Sequence, residues 1–230
     1  MTPLVMLPGM MCDARLFGPQ IEALSGTYPL MTLPIGGKDT MVELAREVLA
    51  VAPPRFALLG LSMGGIVAME ILRQAPARVD RLALLDTNPR AETEEKRAGR
   101  TPQMEAAARG GLARIMRDEM KPNYLAGGPR RGAILDLCMA MALDLGPDVF
   151  IHQSRALRDR VDQSEVLRAY KGRALVLCGR EDTLCPIERH DYMHGLLSGS
   201  QLQIIENAGH LPTLEQPELT IAAIRRWMEA

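Results

Sequence analysis

The segment Gly60-Leu61-Ser62-Met63-Gly64-Gly65 sets one serine among glycines. The apolar run Phe56-Ala57-Leu58-Leu59 precedes it and Ile66-Val67-Ala68-Met69-Glu70-Ile71-Leu72 follows it. The first run has the length of a buried strand, the second the length and spacing of a helix. A serine on such a strand-to-helix turn can act as a nucleophile. The turn is tight enough to strain the serine backbone, and the flanking glycines leave room for neighbouring strands. The hydroxyl then stands clear of the sheet edge, with the positive end of the following helix aimed at it. An alkoxide or a tetrahedral oxyanion gains from that field. The pattern alone is common, and an ordinary glycine-rich turn would also produce it. A serine is a poor nucleophile until a base takes its proton, so the rest of the chain must supply a histidine and an acid to orient it.

Two stretches supply them. The strand-like run Ala174–Cys178 leads into Gly179-Arg180-Glu181-Asp182-Thr183-Leu184-Cys185-Pro186, and the run Gln201–Ile205 leads into Asn207-Ala208-Gly209-His210. Asp182 and His210 therefore fall just past the carboxyl ends of strands, the same edge as Ser62, and open α/β sheets bind ligands there. His210 is the candidate base, because an imidazole titrates near neutral pH and can return the proton to a leaving group. Asp182 would accept from the other ring nitrogen and fix the tautomer. Taken singly, Asp182 could instead cap the helix before Pro186, and His210 could be a loop histidine. Asp86 is a rival acid after the strand Val79–Leu85, expected to be structural or to face the pocket. Glu181 should point away. His190 and His194 have the spacing of a metal pair on a helix. No further ligands accompany them, so they are expected on a solvated helix face. His152 lies in the lid region, where it is expected at the surface and could alternatively meet substrate.

Reading from the N-terminus, strands are expected at Leu4–Leu7, Tyr28–Leu33, 56–59 and Val79–Leu85, with helices at Phe17–Leu24, Met41–Val51 and 66–75 between them. The runs are apolar throughout, as strands covered on both faces should be. The alternation is that of a doubly wound, mostly parallel sheet. It breaks between about residues 90 and 160, where only helices are expected, among them Ile134–Leu145 and Val149–Leu157. It resumes with a helix at Val166–Tyr170, the strand at 174–178, a helix at Pro186–Leu197, the strand at 201–205 and a closing helix at Glu218–Met228, for about six strands in all. Residues 1–90 and 161–230 thus read as the core and 91–160 as a helical lid inserted at the sheet's carboxyl edge. The alternative is that these helices merely extend the core.

A chain of 230 residues with 47% apolar content fits one domain, with or without an insertion. The net charge of −1 argues against electrostatic binding to nucleic acid or an acidic membrane. No run has the length of a membrane span and no leader pattern opens the chain, so a cytoplasmic location is expected. Cys12, Cys138, Cys178 and Cys185 are scattered, consistent with reduced thiols. With 3% aromatics and 15 methionines, a pocket made from this stock would be soft and adaptable.

The serine turn, Pro8-Gly9-Met10, the stretch Gly179 to Pro186, Asn207-Ala208-Gly209-His210 and the closing Leu214-Glu215-Gln216-Pro217-Glu218 together resemble the α/β-hydrolase superfamily, over essentially the whole length. The chain looks like its small, lid-bearing bacterial esterases and enol-lactonases, in a compact version without the two strands that often open the fold. The resemblance implies the chain order Ser62, Asp182, His210 for a triad. It implies an oxyanion hole from the backbone N–H of Met63 and of Met10, or alternatively Met11. Many members carry His-Gly where this chain has Pro8-Gly9. It implies no metal and no cofactor, and a small acyl substrate in an apolar pocket made by Met10, Met11, Met63 and the lid residues Met139, Met141 and Phe150. The activity expected is hydrolysis of a small ester, thioester or lactone. The alternatives are lyase or C–C bond chemistry on the same triad, or a ligand receptor or signalling protein with slow turnover. The serine sets the chain apart from the carboxylate-nucleophile branches, and the apolar lid helices are the place for a homodimer contact.

Overall fold

The computed structural model describes all 230 residues. Six strands form one sheet: β1 (Leu4–Leu7), β2 (Leu30–Thr32), β3 (Phe56–Leu61), β4 (Val79–Leu85), β5 (Arg173–Gly179) and β6 (Gln201–Ile205). Their order is β2-β1-β3-β4-β5-β6, and every neighbouring pair is parallel. Side chains alternate between the faces with period 2. Leu4, Met6, Leu59, Leu61, Leu85, Leu175 and Leu177 enter one apolar cluster, and Val5, Leu7, Leu58, Leu84 and Val176 enter the other. Both faces are covered, which is why the strands read as unbroken apolar runs.

The helices are α1 (Gly18–Leu24), α2 (Met41–Val51), α3 (Met63–Gln74), α4 (Glu94–Ala106), α5 (Leu112–Arg114), α6 (Arg131–Arg158), α7 (Ser164–Ala169), α8 (Ile187–Leu196), α9 (Pro212–Glu215) and α10 (Pro217–Glu229). Thr40 caps α2 and Thr93 caps α4, each accepting a backbone N–H with its hydroxyl. Gly146, at φ 80 and ψ 175, interrupts α6 just before Pro147, so the stretch holds two helices meeting at a sharp break, as the sequence leads one to expect. β2 is shorter than its apolar run, and a 3₁₀ turn at Ala14–Phe17 takes the start expected for α1. No helix is long and apolar enough to cross a membrane. All four cysteines are unpaired.

No strand lies between β4 and β5. The helices there are not loosely attached. Ala107, Leu112, Ile115, Met116, Tyr124, Ile134, Cys138, Met141, Ala142 and Phe150 share one cluster with the sheet residues Leu59, Leu85 and Leu177.

The register brings the strand ends into line. Leu61 is opposite Leu85, Leu85 is opposite Leu177, and Gly179 is opposite Ile205. The residues that follow β3, β4, β5 and β6 therefore emerge on one edge. At that edge α3 lies directly against the strands. A Cβ on Gly64 would collide with the carbonyls of Leu7 and Pro8, and one on Gly60 with the carbonyl of Gly64. Gly64→Ala is accordingly expected to cost upwards of about 3 kcal/mol, because backbone rather than a flexible side chain must move. Gly99→Ala, in exposed α4 with open space at its Cβ, should instead stabilise by about 0.5–1 kcal/mol. Urea unfolding of the two variants beside wild type measures both.

Candidate active site

Ser62 caps α3 with φ 53 and ψ −117, a conformation costly for any residue with a side chain. The strain is held by hydrogen bonds on both sides. Its N–H donates to the Leu85 carbonyl at 2.8 Å, and its own carbonyl accepts from Gly65 N–H at 2.9 Å and from the Thr87 hydroxyl at 2.7 Å. The Ser62 hydroxyl lies 2.9 Å from Nε2 of His210, and His210 Nδ1 lies 2.7 Å from Oδ2 of Asp182. A carboxylate at Nδ1 places the ring proton there and leaves Nε2 free to accept from the serine.

Asp182 is buried at the start of the loop after β5. Its Oδ1 accepts the N–H groups of Leu184 and Cys185, at 2.8 and 3.0 Å. Burial pushes its pKa up, but the adjoining His210 and these hydrogen bonds outweigh burial and hold it below the ordinary carboxylate value. Cys185 is the converse case, with burial and then the charge of Asp182 raising its thiol to about 12. One ligand atom each from Asp182, Cys185 and His210 lies within 4.8 Å of the others. The first and third are already bonded to each other and the thiol is held protonated, so this trio is poorly set up to bind a metal.

His210 is held by groups outside its own loop. Its N–H donates to the Tyr124 carbonyl at 2.7 Å. The buried carboxylate of Glu215 accepts Gly209 N–H at 2.9 Å, Leu211 N–H at 3.1 Å and Ala126 N–H at 2.8 Å. One side chain thus ties both neighbours of His210 to the helical insertion.

Asp86 is fully buried at φ 45 just past β4. Its Oδ1 accepts Gly179 N–H at 2.9 Å, bracing the end of β5 where the Asp182 loop begins, and its Oδ2 has no donor. Burial first, then the negative charge of Asp182, pushes its pKa well above the ordinary carboxyl value.

Around Ser62 is a cavity of about 180 Å³. Met10, Met63, Thr87, Met120, Tyr124, Leu184 and His210 form part of its wall. The backbone N–H groups of Met10 and Met63 take part in none of the turn and loop hydrogen bonds, whereas Met11 N–H is spent on the Gln153 side chain at 2.9 Å.

The sequence matches the alpha/beta hydrolase family over residues 8–223. The chain belongs to that family. Among its relatives is a pimeloyl-(acyl-carrier protein) methyl ester esterase of Neisseria meningitidis, 22% identical over 97% of this chain and 92% of that protein. A thermophilic esterase from Thermogutta terrifontis superposes with a TM-score of 0.90 at 28% identity, covering 100% of this chain and 90% of that one. The enol-lactonase of Burkholderia xenovorans has the same fold, with a TM-score of 0.89 at 19% identity over 100% of this chain and 92% of that one.

In this α/β-hydrolase the structure brings together Ser62, Asp182 and His210, with Met10 and Met63 beside them. Other site expectations need correcting. Met11, Met139, Met141 and Phe150 do not line the Ser62 cavity. Met11, Met141 and Phe150 are buried in the shared core and Met139 packs against it, because the apolar faces of the insertion helices turn toward the sheet. His190 is not on a solvated face. It is fully buried, its Nε2 accepts Thr87 N–H at 3.2 Å, and burial lowers its pKa to about 4. His194 is exposed, pairing with Ser200 at 2.7 Å, and half-buried His152 meets the Gly36 carbonyl. Glu181 is exposed, as expected. Sequence reasoning missed the bracing role of Glu215. Its signals were its place five residues after the histidine and its membership in the closing run Leu214–Glu218.

Two outcomes are expected. Glu215→Ala leaves three buried N–H groups unpaired at about 1–3 kcal/mol each, so a fall of at least about 3 kcal/mol in urea unfolding should accompany it. Asp86 has a folded-state pKa raised above its unfolded value. Its contribution to stability is therefore complete below the ordinary carboxyl range and is lost as pH rises through the raised value. Asp86→Asn removes that loss. The melting temperature of the variant relative to wild type should rise steadily toward alkaline pH.

Proposed function

We propose that this protein hydrolyses a small carboxylic ester, thioester or lactone through an acyl-Ser62 intermediate. The observation that carries the reading is the hydrogen-bonded chain from the Ser62 hydroxyl through both nitrogens of His210 to Asp182, at 2.9 and 2.7 Å, opening on a cavity. The names of the relatives support ester hydrolysis: the Neisseria protein is called a methyl ester esterase and the Thermogutta protein an esterase.

The steps follow from the geometry. Nε2 of His210 takes the Ser62 proton as Oγ attacks the acyl carbon, and the imidazolium is stabilised by the Asp182 carboxylate. The carbonyl oxygen becomes an oxyanion. The free N–H groups of Met63, at the N-terminus of α3, and of Met10 are placed to receive it, and one such donor typically supplies 10²–10³ in rate. His210 returns the proton to the departing alcohol, thiol or ring oxygen. Water then attacks the acyl-enzyme with His210 again as base, and Ser62 leaves with its proton restored. Met120, Tyr124 and Leu157 of the insertion form part of the cavity wall, so residues 91–160 act here as a lid that shapes the acyl site.

Treatment with a fluorophosphonate probe followed by intact-protein mass spectrometry tests this. A single adduct is expected on wild type and none on Ser62→Ala or His210→Ala, with turnover of short esters abolished in step. A folded wild-type protein that takes no adduct and turns over no ester, thioester or lactone would sink the reading in favour of ligand reception. Turnover of a C–C or elimination substrate without a trappable acyl-enzyme would favour lyase chemistry.

A further inference from the structure

Part of the wall of the Ser62 cavity is strongly charged. Lys96, Arg100, Arg160 and Arg189 all line it, and the carboxylate of Glu92 is the one acidic side chain among them. That is a surplus of three positive charges in one small cleft. The whole chain carries a net charge of −1, so the cluster does not reflect a basic protein. A low-dielectric cleft lined by one sign of charge concentrates ions of the other.

The cluster is built, not scattered. Glu92 is buried and accepts from Arg100 Nε at 2.7 Å and Nη2 at 2.5 Å. Its other oxygen meets Arg160 Nη2 at 3.2 Å. The Arg100 and Arg160 side chains are only 16% and 8% exposed. One carboxylate cannot neutralise two buried guanidiniums. Burial, opposed by Glu92 and reinforced by Arg100, leaves the Arg160 pKa below its usual value, the sign of an under-compensated cation. The side chains of Lys96 and Arg189 enter none of the ion pairs or hydrogen bonds of the protein. Arg100 spends Nε and Nη2 on Glu92, and its remaining Nη1 lies 4.0 Å from the Met10 sulfur, so it reaches toward the part of the cavity wall that Met10 forms. Lys96 is exposed and Arg189 half-buried, so both can reach an entering anion, while Arg100 and Arg160, which share one carboxylate in the drier part of the cleft, gain from a second one.

We propose that Lys96, Arg100, Arg160 and Arg189 form a carboxylate-binding subsite within the Ser62 cavity, so that the substrate is an ester bearing a second, free carboxylate, such as the half-ester of a dicarboxylic acid. The guanidinium fork matches a planar carboxylate, and Glu92 holds two of the four cations in position for it. This rests on the reading of Ser62 as the nucleophile, and the test keeps the two apart.

Hydrolysis is followed in a pH-stat with monomethyl esters of linear dicarboxylic acids and with methyl alkanoates of equal chain length. Wild type should show a kcat/KM at least about tenfold higher for the half-esters, expressed in KM and shrinking with added salt. The Lys96→Gln/Arg189→Gln double variant should bring that ratio close to one. Calorimetry of the half-esters with Ser62→Ala reads binding without turnover. Neutral esters hydrolysed at rates equal to or above those of half-esters would overturn the subsite and leave the hydrolase reading intact. Half-esters that bind Ser62→Ala but are never hydrolysed by wild type would uphold the subsite and overturn the hydrolase reading. Inorganic phosphate competing for Ser62→Ala where dicarboxylate dianions do not would overturn the carboxylate assignment and point to a phosphate-bearing substrate.

Discussion

Everything at the carboxyl edge of the sheet depends on the close approach of α3 to the strands beside it. At Gly60 and Gly64 backbone meets backbone with no space for a methyl group, and Ser62 is bent to φ 53 between them. A strained residue persists only where its surroundings over-determine it. Here Leu85 on one side and Thr87 and Gly65 on the other hold the Ser62 peptide groups, so the strand that neighbours the turn also fixes it. The hydroxyl is then the part of the residue that projects from the edge, toward His210.

The other two members of the hydrogen-bonded chain are held by the same device applied to loops. Asp182 is fixed by two N–H groups of its own loop and by Asp86, which ties the preceding Gly179 to the end of β4. His210 is fixed through its neighbours by Glu215 and through its own N–H by Tyr124. Three buried carboxyls thus hold the loops that carry Asp182 and His210, and their environments pull their pKa values apart. Asp182 lies low because it faces His210 and accepts N–H bonds, while Asp86 and Glu215 are raised chiefly by burial.

The helical insertion serves both packing and the cavity. Its apolar faces complete one of the two cores, which is why Met141 and Phe150 lie in the interior. What remains faces the cavity, so Arg100, Met120, Tyr124 and Arg160 stand beside Met10 and Met63 there, in place of Met139, Met141 and Phe150. A soft apolar pocket is what composition suggests. The sheet claimed the apolar residues first, because burying them against it removes more surface from water.

The sequence by itself determined the sheet and its edge. Strand runs apolar on both faces, a glycine-bounded serine, and an acid and a histidine each just past a strand specify a parallel sheet with those three residues at one end. Local pattern is sufficient for that, since a strand end is a position along the chain and parallel strands share their carboxyl edge. Tertiary structure decided what lies across from that edge. Which faces of 91–160 turn inward, that Met11 N–H is spent on Gln153, that His190 is buried under Thr87 and that Arg160 meets Glu92 are all contacts between segments distant in sequence. Helical periodicity says that a face is apolar but not which surface will cover it. An arginine in a charged helix looks solvated until the fold encloses it beside a carboxylate.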